Sequence, residues 1–459
     1  MIAKLKGSPG AAIKAVVLAV MLALGPLIGM ARADEVQDVM KAWLADTANQ
    51  GTIPPGTKIT TQNWQQYKQF MPLGMVDFFE GKYFWKMPND VVFDVGPTVM
   101  HPLPKAFMAA TEKYGGQARV IHLPDGRMSI ENYTAGFPFP NPQDPDKGYK
   151  ILANLWFPPA PYLLALSPDS GDASFCTVDH FNNQACSKSS VVYRQLAYNW
   201  DPRTPKIEPK ANGAWYSQWL MLDKPEQSKY TAVLTLFWQD LTKDEDDYVF
   251  VPALRRSLRL SATARCSPLF GSDMIKDDQR GGYNGGITLF NADFLGTRKI
   301  LANTDLTMAD GAFPAEYDMP LGWAKPSWGG WQLRQTDVLD IRRIPSMRQG
   351  YCYGSKIMYI DTQFYHELWE DIYDGNLKLW KIVDIQTHPA EFVPGEGLSP
   401  FPGAIIEQFW DIQNDHVSHV FTANPDGKTD GLTFNTGVPK QFDDVNRYST
   451  PGGLMTIMK

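Results

Sequence analysis

The sequence predicts an α+β fold built on one broad, curved antiparallel β-sheet with a few helices packed on it. Helical patterns are concentrated in the first quarter of the 459-residue chain. From about Arg119 onward the chain turns to short runs rich in aromatic and β-branched residues, bounded by Gly, Pro, Asn or Asp. No helical period of comparable strength separates these runs, which favours an antiparallel meander over βαβ units. Such a sheet, if it curls without filling itself, leaves a cavity beneath the helices.

Three helical segments are predicted before the strands begin. The first, "DEVQDVMKAWLADTANQ", is ended by Gly51, and the second, "TQNWQQYKQFM", has Thr61 or Asn63 as a possible cap. The third, "PKAFMAATEKYGG", opens with Pro104 and closes at a Gly pair, which is a typical start and stop for a helix.

The strand region contains eight candidate runs. They are "ARVIHL", "YKILANLWF", "SSVVYRQLAYNW", "YTAVLTLFWQDL", "DYVFVPALRRSLRLS", "ITLFNADFLGTRKIL", "WQLRQTDVLDIRRI" and "SKIMYIDTQFYHELWEDIYD". The last run continues through "DGN" into "LKLWKIVDIQ", which predicts a β-hairpin. The Gly-rich segment "RGGYNGG" follows no phosphate-loop pattern and is predicted to form a turn.

The N-terminus predicts a cleaved signal peptide over residues 1–33, followed by a single domain over residues 34–459. Three lysines precede the apolar run "AVVLAVMLALGPLIGM", and a small-x-small site ends at Ala33. A retained anchor is the alternative, but Gly25 and Pro26 interrupt a run already short for a bilayer. Removing 33 residues, four of them basic, leaves 426 residues and moves the net charge from −7 to −11. This acidity disfavours nucleic acid as a partner.

Four cysteines in an exported chain predict disulfides. The sequence permits three connectivities. We favour Cys176 with Cys186, which closes the loop "TVDHFNNQA", and Cys266 with Cys352, which ties the end of an arginine-rich strand to a distant strand. A metal site is disfavoured because no Cys-x-x-Cys or nearby His completes a ligand set, and no cofactor is predicted.

The segment "DDYVFVPALRRSLRLS", from Asp246 to Ser261, predicts a strand that carries three arginines. With a period of two, one face holds Leu254, Arg256, Leu258 and Leu260, and the other holds Arg255, Ser257 and Arg259. One interpretation is a half-exposed strand whose arginines pair with nearby carboxylates. The other is that an arginine lies at the mouth of an apolar cavity and holds an anionic head group.

Four sequence pieces resemble a proteobacterial family of exported proteins of unknown function, described as outer-membrane lipoprotein-sorting-like. They are "YTAGFPFPNP", "DDYVFVPALRRSLRLS", "DDQRGGYNGG" with "LFNADFLGTRKIL", and "KIMYIDTQFYHELWEDIYDGNLKLWKI", which follow one another in the family's order between Tyr133 and Ile382. That family is similar to the LolA and LolB carriers, so the resemblance implies an open β half-barrel around an apolar cavity. It also implies a periplasmic carrier of lipid or another hydrophobic molecule, possible association with the outer membrane, and two partners: an RND-type (MmpL-like) inner-membrane transporter and an outer-membrane protein. The Cys-bounded insertion and "SLRLSATARC" depart from the family pattern.

Eight residues are the candidate ligand contacts of such a carrier. They are Tyr248, Phe250, Arg255, Arg256, Arg259, Trp369, Tyr373 and Trp380. The aromatic members are more often core residues than ligand contacts, but the concave face of a half-barrel is itself partly a ligand pocket.

Signals for catalysis are weak. No Gly-x-Ser-x-Gly occurs, and "YHELWE" carries Glu370 where a zinc protease needs a second His. We therefore expect a non-catalytic protein. The alternative is a secreted β-rich hydrolase that acts on polysaccharide through Asp or Glu carboxylates.

Overall fold

The computed structural model describes residues 35–166, 172–260, 265–306, 313–423 and 432–458. The predicted signal peptide lies outside these ranges. The chain divides into two units, Met1–Asp46 and Thr47–Lys459. The described part of the first unit contains a helix over residues 35–44, as predicted. Across the described ranges, no helix is both long enough and apolar enough to cross a bilayer.

Most of the described structure is β-strand. The helices are α1 (35–44), α2 (Leu73–Glu80), α3 (Lys105–Tyr114), α4 (Lys147–Trp156), α5 (Val445–Tyr448) and α6 (Pro451–Leu454). The strands are β1 (Thr57–Ile59), β2 (Phe93–Val95), β3 (Arg119–His122), β4 (Met128–Glu131), β5 (Leu163–Leu166), β6 (Asp172–Asp179), β7 (Gln184–Gln195), β8 (Ala214–Lys224), β9 (Ala232–Trp238), β10 (Asp246–Val251), β11 (Arg256–Arg259), β12 (Phe290–Asn303), β13 (Tyr317–Asp318), β14 (Trp323–Ala324), β15 (Trp331–Arg343), β16 (Tyr353–Asp361), β17 (Glu367–Asp374), β18 (Leu379–Ala390), β19 (Ser399–Asp411), β20 (His416–Ala423) and β21 (Thr433–Phe434).

Seventeen of the strands in the described ranges form one sheet. Its main order is β12-β15-β16-β17-β18-β19-β20-β6-β7-β8-β9-β10-β11. Strand β5 pairs with β7 beyond the end of β6, and β21 pairs with β5. Strands β1 and β2 join through the parallel pair Trp331 and Val95, whereas the main order is antiparallel throughout.

The sheet curls strongly at its β12 end. Strands β15, β16 and β17 lie between β12 and β18, yet the chain after β12 returns to β18: Leu306 N donates to Thr387 O at 3.3 Å, and Thr387 Oγ1 donates to Thr304 O at 3.2 Å. These features confirm the predicted fold class, an α+β fold with a large curved antiparallel sheet in an open half-barrel.

Helix α4 packs tightly on β12. A Cβ added to Gly148 would lie 2.2 Å from Ala292 O, so this close crossing requires glycine. The prediction of "YKILANLWF" as a strand is wrong, because this run forms most of α4. From Ile151 to Trp156 every residue of the helix is buried, so the alternation of polar and apolar positions that marks a surface helix is missing.

Of the two other predicted helices, one forms an α-helix and the other forms a 3₁₀ helix. The segment "PKAFMAATEKYGG" forms α3, as predicted, whereas "TQNWQQYKQFM" forms a 3₁₀ helix over Trp64–Phe70. Helix α2 begins just after it, at Leu73, and was missed because its eight residues, "LGMVDFFE", are too few to show a period.

The segment 265–289, which we call the plug loop, lies largely buried against strands of the sheet. Its Asp278 accepts hydrogen bonds from Tyr353 Oη at 2.7 Å and from Lys356 Nζ at 3.0 Å. The segment "RGGYNGG" forms turns here, but they are buried turns. Gly282 has a φ of +100°, and a Cβ there would come within 1.6 Å of Glu367 Oε2, so only glycine fits.

The favoured disulfides are both present, Cys176 with Cys186 and Cys266 with Cys352. The first joins two residues that are directly paired on β6 and β7. The second anchors the start of the plug loop to the residue before β16.

The prediction of one continuous strand over "DDYVFVPALRRSLRLS" is wrong, because this segment forms a hairpin. Strand β10 ends at Val251, a 3₁₀ turn spans Pro252–Leu254, and Arg255 takes a left-handed conformation with φ of 48°. Strand β11 then returns antiparallel, with Tyr248 opposite Arg259. Proline explains the break, because it lacks the N–H that a continuing strand would need.

Candidate functional site

The structure does not gather the eight predicted ligand contacts into one site. Arg255, Arg256 and Arg259 are exposed on the outer hairpin, and Arg259 pairs with Asp246. Phe250 is buried in a core cluster with Tyr248 packed against it. Their role in ligand binding stays a prediction.

The three other predicted contacts lie on β17 and β18. Trp369 is 1% exposed, and its indole N–H donates to Asp371 Oδ1 at 3.0 Å. The Trp380 indole donates to Asp411 Oδ2 at 2.8 Å, and Tyr373 is half-buried on β17. Each indole therefore has a hydrogen-bond partner inside the protein.

A narrow cleft lies elsewhere, with room for only about 10 Å³, roughly one water molecule, and we call it the aromatic pocket. Ten described residues line it: Phe107, Tyr133, Phe157, Pro158, Ala160, Gln195, Trp200, Trp215, Tyr216 and Arg280. Six of these are aromatic, and Arg280 is the charged member of the lining. Such a composition, mostly apolar with a few polar groups, is typical of small-molecule sites.

Separate chain segments hold the walls of the aromatic pocket in place. The Trp200 indole donates to Ala160 O at 2.8 Å, and Tyr133 Oη donates to Gly136 O at 2.9 Å. The Tyr133 ring lies 4.1 Å from the Phe157 ring, measured between centroids. Gln195 Nε2 donates to Tyr198 O at 2.9 Å. These polar ends are bonded to the protein, so the rings themselves form the walls.

Arg280 enters the aromatic pocket from the plug loop. Its guanidinium lies 4.5 Å from the Tyr216 ring centroid and 4.6 Å from the Trp156 ring centroid, and Nη2 donates to Trp156 O at 3.3 Å. Stacking on aromatic faces stabilises a desolvated cation by about 2 kcal/mol. Burial lowers the pKa of Arg280, but a guanidinium keeps its charge at physiological pH.

The backbone of Arg280 is strained. Its φ is 64°, in the left-handed region that is uncommon for residues other than glycine. Such strain clusters at functional sites, because the surrounding structure must hold it. Sequence reasoning missed Arg280, although its place inside "DDQRGGYNGG", beside two glycines, was the signal that could have found it.

A second cleft, of similar size, includes Phe93, Trp323, Trp328, Trp331 and Lys325 in its lining. The Phe93 and Trp331 rings are stacked at 3.8 Å between centroids, which closes one side of it. Its aromatic residues pack on one another, whereas the aromatic pocket holds a cation stacked on its rings, so we rank it second.

Five ionisable side chains meet inside the sheet: Asp278, Lys356, Glu367, Glu370 and Glu407. Lys356 Nζ lies 3.0 Å from both Asp278 Oδ1 and Glu370 Oε1, and Gly281 N donates to Glu407 Oε1 at 3.1 Å. Burial, aided by the Glu370 charge, raises the pKa of Glu407 to about 8, and burial also raises the pKa of Glu367 and Glu370. None is more than 4% exposed, so this cluster holds the plug loop and has no open face for a substrate.

Several solved structures resemble the chain. One is described as an outer membrane lipoprotein-sorting protein domain from Vibrio parahaemolyticus (14% identity, TM-score 0.41, covering 65% of this chain and 96% of that one). Another is a DUF1329 family protein from Desulfovibrio piger (13%, 0.43, 67% and 100%). A third is a LolA superfamily protein from Nitrosomonas europaea (11%, 0.33, 61% and 89%).

No curated protein matches the chain at a significant level. The sequence model of one family, however, matches residues 58–450, which is most of the chain. This match confirms the resemblance to an exported family of unknown function. The chain therefore belongs to the DUF1329 family, proteins of unknown function.

Proposed function

We propose that the protein is a periplasmic carrier for a hydrophobic or amphiphilic molecule, which binds in the aromatic pocket with its polar end at Arg280 after the rings of the pocket move apart to admit it. The observation that carries this proposal is a guanidinium held among aromatic rings in the wall of a cleft.

The chemistry of the pocket defines the ligand class. Aromatic walls favour an apolar body, because they offer large apolar surfaces. The planar guanidinium of Arg280 suits a carboxylate or phosphate, whose oxygens it can bind in pairs. A lipid-like molecule with one anionic end matches both requirements.

The predicted signal peptide and the family resemblance support the periplasm as the place of action. The same resemblance supplies the partners of the proposal: an RND-type transporter in the inner membrane and an outer-membrane protein, between which a carrier moves its ligand. The candidate contacts Arg255, Arg256 and Arg259 remain part of the proposal as possible head-group contacts outside the pocket.

The hydrolase alternative needs a pair of carboxylates open to substrate. The segment "YHELWE" contains two carboxylates, Glu367 and Glu370, and both are fully buried. This pair therefore has no surface open to a substrate, which favours binding over hydrolysis there.

The test compares decanoate with decanol, which share a chain and differ in the charged end. We expect the wild type to bind both, with decanoate bound more tightly. Arg280→Gln should weaken decanoate binding about 10- to 100-fold, because a charge-assisted hydrogen bond contributes about 1.5–3 kcal/mol. Decanol binding should change little. Isothermal titration calorimetry measures both affinities.

The matched control is Ala160→Leu, which fills the aromatic pocket without touching the charge. It should lose decanoate and decanol alike. Retained decanol binding in Arg280→Gln also reports that the pocket is still folded. Equal affinity of the wild type and Ala160→Leu for both ligands would contradict the proposal, as would a wild type that binds neither ligand.

A further inference from the structure

Arginines and exposed apolar side chains surround the hairpin of β10 and β11 at the edge of the sheet: Arg256 and Leu260 share one face of it, whereas Met455 lies at Ser257 on the other face. We define the edge patch by six residues: Leu254, Arg255, Arg256, Leu260, Met455 and Met458. Its leucines and methionines are 37–51% exposed, so their side chains are open to a partner.

Two distant chain segments build the edge patch. The turn between β10 and β11 places Leu254 and Arg255 at the tip of the hairpin. The C-terminal segment joins it, because Ser257 N donates to Met455 Sδ at 3.3 Å and Leu454 shares a core cluster with Phe250. The patch is therefore a fixed surface.

The charge of the edge patch needs an anionic counterpart. Arg259 next to it pairs with Asp246, but within the described ranges neither Arg255 nor Arg256 forms an ion pair. They stand out on a chain whose net charge is −7. Two exposed arginines among exposed leucines and methionines match the composition of surfaces that lie on anionic lipid, where cations contact phosphates and apolar side chains enter the interface.

We propose that the edge patch docks the protein on an anionic lipid surface. A protein strand added to the β11 edge is the other partner to consider. Strand β11 has only four residues, so it offers few backbone hydrogen bonds to a new strand. Leu254 lies in the turn and the methionines lie in the C-terminal segment, where an added strand would not cover them. A lipid surface that receives the hairpin edge-on can contact side chains on both of its faces.

A second exposed apolar surface lies at a different end of the sheet and serves as a comparison. Phe181 is 75% exposed in the turn between β6 and β7, and the Phe84 ring lies 5.8 Å from the His180 ring. Asp179, the last residue of β6, borders this turn, and its carboxylate accepts from Phe181 N. A carboxylate opposes an anionic surface, so we expect this end to stay off the lipid.

The test is sedimentation with vesicles of phosphatidylcholine, alone or mixed with phosphatidylglycerol. The wild type should bind the mixed vesicles and bind pure phosphatidylcholine weakly. R255Q/R256Q should lower the partition coefficient for mixed vesicles about 30-fold, since each arginine near such a surface contributes about fivefold. L254S/M458S should lower binding to both kinds of vesicle.

The matched control is K58Q/K113Q, which removes two exposed positive charges on β1 and α3, away from the hairpin. It should bind mixed vesicles as the wild type does, and so should Phe181→Ser. A wild type that ignores phosphatidylglycerol, a loss of binding in K58Q/K113Q equal to that in R255Q/R256Q, or a loss in Phe181→Ser would each overturn the proposal. Ala160→Leu, which should lose the ligand, should bind vesicles as the wild type does. Vesicle binding therefore tests the docking proposal separately from the proposed ligand binding.

Discussion

At the residue scale, the buried carboxyl group of Glu407 links stability to pH. Its pKa in the folded protein is about 8, raised first by burial and then by the charge of Glu370, whereas an ordinary glutamate has a pKa of 4.5. The folded state therefore holds a proton that the unfolded state has already released. This contribution to stability is present at low pH and is lost as the pH rises through about 8.

Glu407→Gln should remove this loss, because glutamine stays neutral and keeps an oxygen for Gly281 N. Between pH 6.5 and 8.5 the free energy of unfolding should fall by about 1–2 kcal/mol more in the wild type than in Glu407→Gln. Urea unfolding at the two pH values measures it. Asp371 and Asp384, whose pKa values burial raises to about 7, are present in both proteins and cancel. An identical pH dependence would contradict the assignment.

At the element scale, the plug loop depends on the disulfide that holds its start. Cys266 and Cys352 are 86 residues apart, whereas Cys176 and Cys186 are 10 residues apart on strands that already pair. In the chain-entropy model the longer closure contributes about 4–5 kcal/mol and the shorter about 3 kcal/mol. C266S/C352S should therefore lower the free energy of unfolding more than C176S/C186S does. Urea unfolding of both variants compares them, and the reverse order would show that the plug loop needs no anchor.

Some elements of the fold can be predicted from the sequence, and others cannot. The hairpin from β17 to β18 was predicted because "DGN" gives a strong local turn signal, and both disulfides followed from the positions of four cysteines. Helix α4 was not predicted, since burial on all sides removes its period. The hairpin of β10 and β11 was not predicted, because the residues on both sides of Pro252 favour a strand. In the structure this one proline breaks the strand in spite of that pattern.

At the scale of the whole molecule, the aromatic pocket could not be predicted from any local pattern. Its walls come from α3, the segment around Tyr133, the chain after α4, the segment 195–200, β8 and the plug loop. Each piece alone is an ordinary aromatic core segment. Only the curl of the sheet and the buried path of the plug loop bring Arg280 against Tyr216 and Trp156.

The central claim is that Arg280 holds the anionic end of a ligand in this pocket. The most direct measurement is a crystal structure of the wild type with ω-bromodecanoate, located by the anomalous signal of bromine. We predict the carboxylate about 3 Å from the Arg280 guanidinium and the bromine among the rings of the aromatic pocket. Bromine bound instead beside the outer hairpin, or anywhere else with the aromatic pocket left unfilled, would contradict the account.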